Sequence, residues 1–298
     1  MADTAVLPAR RVGRETAAPP RRRRRGRLTP LLYVLPALIF YAAFVIVPWV
    51  HSLWISLWEW NGIGVATWAG LANYIEVFTD SALRSSLVHA FGFIVFYSVL
   101  PIGIGLVLAA LVAATPWKAM PLIRTILFLP QILPLVAVGV IWKWIYSADG
   151  PLGLDSSWLG DFALAYPAVG LVGTWVSTGL CFLLLLSGIG KIEPSLYEAA
   201  KVEGCGPIRE FWHVTVPGLR KEIAVAATVT IIAALASFDV VYVMTGGGPG
   251  YTTMVPGVQI YQLVFTAGRV GAACALATVL SLLTCAVMYG LNRLTRER

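Results

Sequence analysis

Side chains able to do covalent or metal chemistry are few in this sequence, and their spacing does not assemble a reaction centre. The three histidines, His51, His89 and His213, lie far apart, and none of the four cysteines, Cys181, Cys205, Cys274 and Cys285, falls in CxxC or metal-ligand spacing. No Ser/His/Asp arrangement suggests hydrolysis. The nearest approach to a phosphate-binding loop is 188-GIGK-191, where Leu185 occupies the first glycine position and Ile192 the Ser/Thr position, so no cradle for nucleotide phosphates is expected. Two stretches offer chemistry of another kind. The insert 197-YEAAKVEGCGPIREFWHVTVP-217 gathers Glu198, Lys201, Glu203, Arg209, Glu210 and His213 between two apolar runs, a pattern suited to docking against a charged partner. The segment 237-SFDVVY-242 places a hydroxyl, a carboxylate and two aromatic faces within an apolar run, and an intramembrane carboxylate is a functional-site candidate.

The elements that must carry these stretches are membrane helices. Of 298 residues 58% are hydrophobic and only 12% charged, against about 25% charged in a soluble domain. A globule of this composition could not cover itself with polar surface, so lipid is the expected solvent. A helix crosses the hydrocarbon core with about 20 apolar residues. Six runs qualify, 31–58, 87–114, 127–146, 165–189, 223–244 and 270–291, and only Lys143 and Asp239 put a formal charge inside them. The runs do not alternate as barrel strands would. The expected fold is therefore an all-α membrane protein with six transmembrane helices. Prolines 36, 48, 101, 130 and 134 fall inside the runs; neighbouring helices can satisfy the backbone they free, and they can mark bends around a cavity.

Six spans put both termini on one side. All Lys and Arg except Arg84, Lys143 and Arg269 then fall on that side, which makes it cytoplasmic by the positive-inside rule. The organisation expected is a basic disordered tail (1–29), a membrane domain (30–293) that includes the charged insert (193–220), and a short cytoplasmic tail (294–298). The run 21-RRRRRGR-27 could serve nucleic acid. Its position against the first span favours an anchor that attracts anionic lipid, with no nucleic-acid partner. Lys143, flanked by Trp142 and Trp144, is expected to snorkel in an aromatic belt.

Within the insert, Pro194 suits the first turn of a helix. Gly204 stands where a glycine ends that helix. Gly206-Pro207 opens a second helix, whose Ile208, Phe211 and Trp212 share one face. That face is expected to hold the insert against the ends of the spans. An interfacial connecting loop is the plainer alternative.

The spacing resembles a known pattern. Glu-Ala-Ala, three residues, Gly, nine residues and Val-Thr-Val-Pro is similar to the EAA loop of binding-protein-dependent ABC importers. Glu198, Ala199, Ala200, Gly204 and Pro217 match outright; Val214 and Val216 replace Ile and Leu, and the usual Asp-Gly-Ala reads Glu203-Gly204-Cys205. The segments 70-GLANYIEVFTD-80, 128-FLPQILPLVAVGVIWKWIY-146, 238-FDVVYVMTGGGP-249 and 260-IYQLVF-265 resemble the same family's carbohydrate permeases of the maltose and glycerol-phosphate type, in the family's order.

The resemblance implies a type I ABC importer permease in the bacterial cytoplasmic (inner) membrane. It implies a second permease subunit, as a heterodimer, a nucleotide-binding ATPase dimer seated on the EAA loop, and an external substrate-binding protein. ATP and magnesium then belong to the ATPase, with no cofactor in this chain, which is not an enzyme. Ser237, Phe238, Asp239 and Tyr242 are the candidates for the substrate path, with Asp239 either a ligand or a cap on 246-GGGPG-250. An ion-coupled secondary transporter would need several ionisable groups at mid-membrane. A non-transporting scaffold would leave the EAA spacing without a reason.

Overall fold

The computed structural model describes residues 29–114, 119–152 and 157–296. The basic tail before Thr29, Lys118 and the last two residues lie outside them. The chain divides into two units, with the boundary between Trp49 and Val50. The first holds α1 (Thr29–Tyr41), a wide π turn (Ala42–Ile46) and the start of α2 (Val47–Ile55).

The second unit continues with a two-residue antiparallel ladder, β1 (Trp58–Glu59) and β2 (Thr67–Trp68), in which Trp58 pairs with Trp68. The short α3 (Ala72–Thr79) leads into α4 (Ser81–Ile94), a π turn (Val95–Val99) and α5 (Leu100–Ala114). Asp80 starts α4 by accepting hydrogen bonds from the amides of Ala82 (2.8 Å) and Leu83 (2.9 Å), satisfying two of the helix's free donors. Next come α6 (Met120–Ile132), α7 (Leu135–Ile145) and the long α8 (Ala165–Ile189). The insert forms α9 (Pro194–Val202), α10 (Pro207–Glu210), a π turn (Phe211–Thr215) and α11 (Val216–Gly218). The chain closes with α12 (Arg220–Leu235), α13 (Asp239–Met244), α14 (Pro256–Phe265) and α15 (Val270–Arg296).

The π turns have a common cause. Each ends two residues before a proline, Pro48, Pro101 or Pro217. A proline inside a helix lacks the amide proton and its ring crowds the carbonyl four residues back. The wide turn displaces that carbonyl, and the residue just before each proline bonds five residues back: Val47 to Ala42, Leu100 to Val95, Val216 to Phe211. At the second turn this frees the carbonyl of Phe96, which accepts from Thr174 Oγ1 on α8 at 2.7 Å. Thus Pro48 and Pro101 are accommodated in their apolar runs by local widening, at Pro101 with a side-chain donor on a neighbouring helix.

Among the described residues, four helices are long and apolar enough to cross a membrane: Tyr33–Ile55, Ser81–Ala114, Ala165–Ile189 and Val270–Arg293. The other two runs differ from the straight spans expected of 127–146 and 223–244. The third is broken between α6 and α7, which meet at 97°. Pro134 forces Leu133 into extended backbone, with ψ at 140°, because an α conformation before proline is sterically disfavoured. The fifth is divided into α12, with 16 residues, and α13, with 6, both too short to span alone. Phe238 sits at the break with φ −141° and ψ −62°. No Gly or Pro explains it. The first turn of α14 enters the gap, so that a Cβ on Gly257 would lie 3.0 Å from the carbonyl oxygen of Ser237.

α8 is the central post. It buries Val169, Val172 and Val176 against Phe93, Tyr97, Val138 and Val241, and nearer its other end Phe182 and Leu185 against Ala109 and Leu219. Small residues on this helix let backbones approach, the usual basis of membrane-helix packing. A Cβ on Gly179 would sit 2.0 Å from the backbone oxygen of Leu127 on α6, and a backbone cannot rotate aside as a side chain can. Gly179→Ala is therefore expected to cost about 1–3 kcal/mol, read as a lower thermal midpoint of the detergent-purified protein.

Candidate functional site

The insert is built as a helical hairpin with an outward acid. Pro194 and Pro207 each open a helix at the first turn. α9 ends in a Schellman motif: the Cys205 amide donates to the Ala200 carbonyl (2.9 Å) and the Gly204 amide to that of Lys201 (3.0 Å). This geometry puts Gly204 at φ +74°, the left-handed region that a Cβ penalises. The two arms are tied by Tyr197 Oη and Thr215 Oγ1, 3.2 Å apart. Where the insert meets the spans, Lys191 pairs with Glu222 at 3.1 Å.

Ala200 is buried, whereas Glu198 and Ala199 are exposed. Glu198 makes no hydrogen bond or ion pair among the described residues, so its carboxylate is available to another molecule. Pro217 shapes the π turn beneath. The aromatic face expected to hold the insert down does so only in part. Phe211 is half-buried, but Ile208 and Trp212 are 76% and 59% exposed. Anchoring falls instead to Leu219, fully buried against Phe182, Leu185 and Ala109. Its signal in the sequence was hidden by the Pro217-Gly218 pair, which reads as a helix end. Between this hairpin and the end of α5 lies an open groove of about 870 Å3, lined by Val107, Leu111, Tyr197, Glu198 and Phe211 among others.

The second set gathers at the α12–α13 break. Phe238 and Tyr242 stack with centroids 5.2 Å apart and planes 13° apart. Tyr261 of α14 joins them, 6.0 Å from Phe238 and 5.1 Å from Tyr242, and Phe265 follows at 4.9 Å from Tyr261. Tyr242 remains 41% exposed, so the cluster presents an aromatic face to the surroundings of the chain. Tyr261, 19 residues after Tyr242 in the segment 260-IYQLVF-265, was not among the path candidates read from the sequence. Ser237 is turned inward, and its buried hydroxyl has no hydrogen-bond partner among the described residues.

Asp239 opens α13, half-buried and within electrostatic reach of Tyr97. It makes no hydrogen bond to the glycine-rich loop. That loop is held by Thr245 Oγ1, which accepts from the Gly247 amide (3.2 Å), by Thr253 Oγ1, which donates to the Gly248 carbonyl (2.7 Å), and by Gln262 Nε2 on the Gly246 carbonyl (3.3 Å). Lys143 reaches back from α7 to the Val243 carbonyl at 3.4 Å, tying α7 to α13.

Residues 102–298 match a family described as "Binding-protein-dependent transport system inner membrane component". The probable ABC transporter permease protein YurN of Bacillus subtilis (strain 168) is 33% identical over 277 residues, covering 88% of this chain and 94% of that protein. The sulfoquinovosyl glycerol transport system permease protein SmoG of Agrobacterium fabrum is 31% identical over 286 residues, 91% of this chain and 92% of that protein. Among solved structures, a bacterial alginate ABC transporter in complex with an alginate pentasaccharide-bound periplasmic protein superposes with a TM-score of 0.75 at 20% identity, over 90% of this chain and 94% of that one. The fold is thus that of an ABC importer permease, and the chain, an integral membrane protein and a non-enzymatic transport subunit, belongs to the inner membrane components of binding-protein-dependent transport systems.

Proposed function

We propose that this permease imports a carbohydrate through a path shared with a second, non-identical permease subunit. The aromatic face at the α12–α13 break lies on that path, and Glu198 on the insert meets an ATPase dimer. The proposed setting is the bacterial cytoplasmic membrane, with six spans, both termini inside, and an external binding protein delivering substrate. The broken pairs α6–α7 and α12–α13 are each read as one span. ATP and magnesium sit on the ATPase.

One observation carries this reading: an unpaired carboxylate, Glu198, is held outward on a rigid hairpin whose turn requires glycine. The carbohydrate assignment is supported by the stacked faces of Phe238, Tyr242 and Tyr261, since apolar C–H faces of a sugar ring pack on aromatic rings while its hydroxyls need acceptors such as Asp239. No basic residue lies mid-span to favour a phosphorylated substrate. SmoG and the alginate transporter are relatives whose names specify sugar-containing solutes.

Reconstitution tests it. The purified chain alone is expected to hydrolyse no ATP. Hydrolysis and uptake of labelled sugar into vesicles should appear when the second permease, the ATPase and the binding protein are added. Steady hydrolysis by the isolated chain, persisting through further purification, would contradict the reading.

A further inference from the structure

We infer that the pocket between the β1–β2 hairpin, α3 and the α14–α15 turn is a socket for a basic side chain, lysine or arginine, on the external substrate-binding protein. The inference rests on the orientation given above, which puts this end of the chain outside. The pocket holds about 450 Å3 and is walled by Glu59, Trp60, Asn61, Thr67, Glu76 and Arg269 among others.

Its frame has little slack. Asn73 Nδ2 donates to the carbonyls of Ser56 (2.9 Å) and Trp58 (3.0 Å), and the Val270 amide donates to the Trp60 carbonyl (2.9 Å). Asn61 Oδ1 accepts from the amides of Ile63 (3.0 Å) and Gly64 (2.7 Å), and Trp60 Nε1 donates to the Gly64 carbonyl (2.8 Å). α15 begins so close to the hairpin that a Cβ on Gly271 would lie 1.9 Å from the Trp58 carbonyl.

The charges are unequally matched. Arg269 is engaged by Glu76 at 2.5 Å, and Asp80 caps α4. Glu59 is exposed and makes no hydrogen bond or ion pair among the described residues. The Arg269 guanidinium is held above its ordinary value first by its hydrogen bond to Glu76, then, against the cost of desolvation, by the charges of Glu76, Glu59 and Asp80. The charged side chains of the pocket wall, Glu59, Glu76 and Arg269, are therefore net negative, and a cation gains from the unpaired carboxylate. A partner protein fits better than a free cation because Val65 on the pocket wall and Ile63 at the hairpin tip are 94% and 96% exposed. An apolar rim of this kind gains only from a surface that covers it.

The test uses the assembled transporter in lipid nanodiscs, titrated with its substrate-loaded binding protein, with stimulated ATPase as the readout. Glu59→Lys is expected to raise the half-saturating binding-protein concentration about tenfold at low ionic strength and less at high salt, with the maximal rate kept. Glu59→Gln should give a smaller shift, and reversing the matching base on the binding protein should restore the affinity of Glu59→Lys. Unchanged half-saturation in Glu59→Lys, or a lower maximal rate at unchanged half-saturation, would overturn the socket. A wild-type complex that no binding protein stimulates would overturn the importer reading and the socket with it.

Discussion

Glu198→Ala and Gly204→Val are expected to abolish uptake while leaving the chain in the membrane, and they should do so for different reasons. Gly204 holds φ +74° with open space where a Cβ would point, so the penalty is conformational and not steric contact with a neighbour. A side chain in the left-handed region costs about 1–2 kcal/mol, and a β-branched one tolerates it least. The Schellman bonds of Gly204 and Cys205 then loosen, and the second arm loses its fixed angle to α9. Glu198→Ala leaves that geometry intact and removes only the exposed charge. When one member of a docked charge pair is truncated, the loss is about 2–5 kcal/mol, so the ATPase should fail to co-purify. The two variants separate on a structural readout: Gly204→Val should lower protection of the 194–218 amides in hydrogen exchange, and Glu198→Ala should not. Normal uptake in both would remove the coupling role from this hairpin.

The second large effect is expected at the aromatic face. Phe238→Ala, Tyr242→Ala and Tyr261→Ala should each cut uptake severely while the complex still assembles and retains ATPase. Each aromatic pair contributes about 0.5–1.5 kcal/mol beyond its area. Tyr261 contacts both Phe238 and Tyr242, so its loss disorders the face that the other two form. Tyr261→Phe should retain the packing and reveal whether the hydroxyl matters. Asp239→Asn belongs to the same series. With the glycine-rich loop held by Thr245, Thr253 and Gln262, this variant should assemble and melt as wild type, and lose uptake if the carboxylate binds solute. Wild-type uptake by all of these variants would place the path on another face or in the partner subunit.

The hairpin could be read from the chain because its determinants are local. Pro194 and Pro207 set two helix starts, Gly204 sets the turn, and their spacing is independent of what lies around them. The apolar runs were equally legible, since burial in lipid is a matter of composition over about 20 residues. The prolines at 101 and 134 announced irregularity but not its form. At Pro101 a wide turn absorbs the defect, because Thr174 can take the freed carbonyl. At Pro134 no such turn forms and the helices part at 97°.

What only the tertiary structure decided is the fifth run. Residues 223–244 carry no glycine or proline, and their unbroken apolar length favours a continuous helix. The break at Phe238 comes from outside the segment: the first turn of α14 lies against Ser237 and Phe238, and Lys143 on α7 holds the Val243 carbonyl of α13. The same packing makes one aromatic face from residues distant in sequence, bringing Tyr261 onto Phe238 and Tyr242. Helix periodicity could place 238 and 242 together because they are four apart. It could not place 261, whose position depends on how the loop 245–255 folds back. Nor could it foresee that Ile208 and Trp212 stay exposed while Leu219 anchors the insert, because which apolar residue is buried depends on which neighbouring helix arrives to cover it.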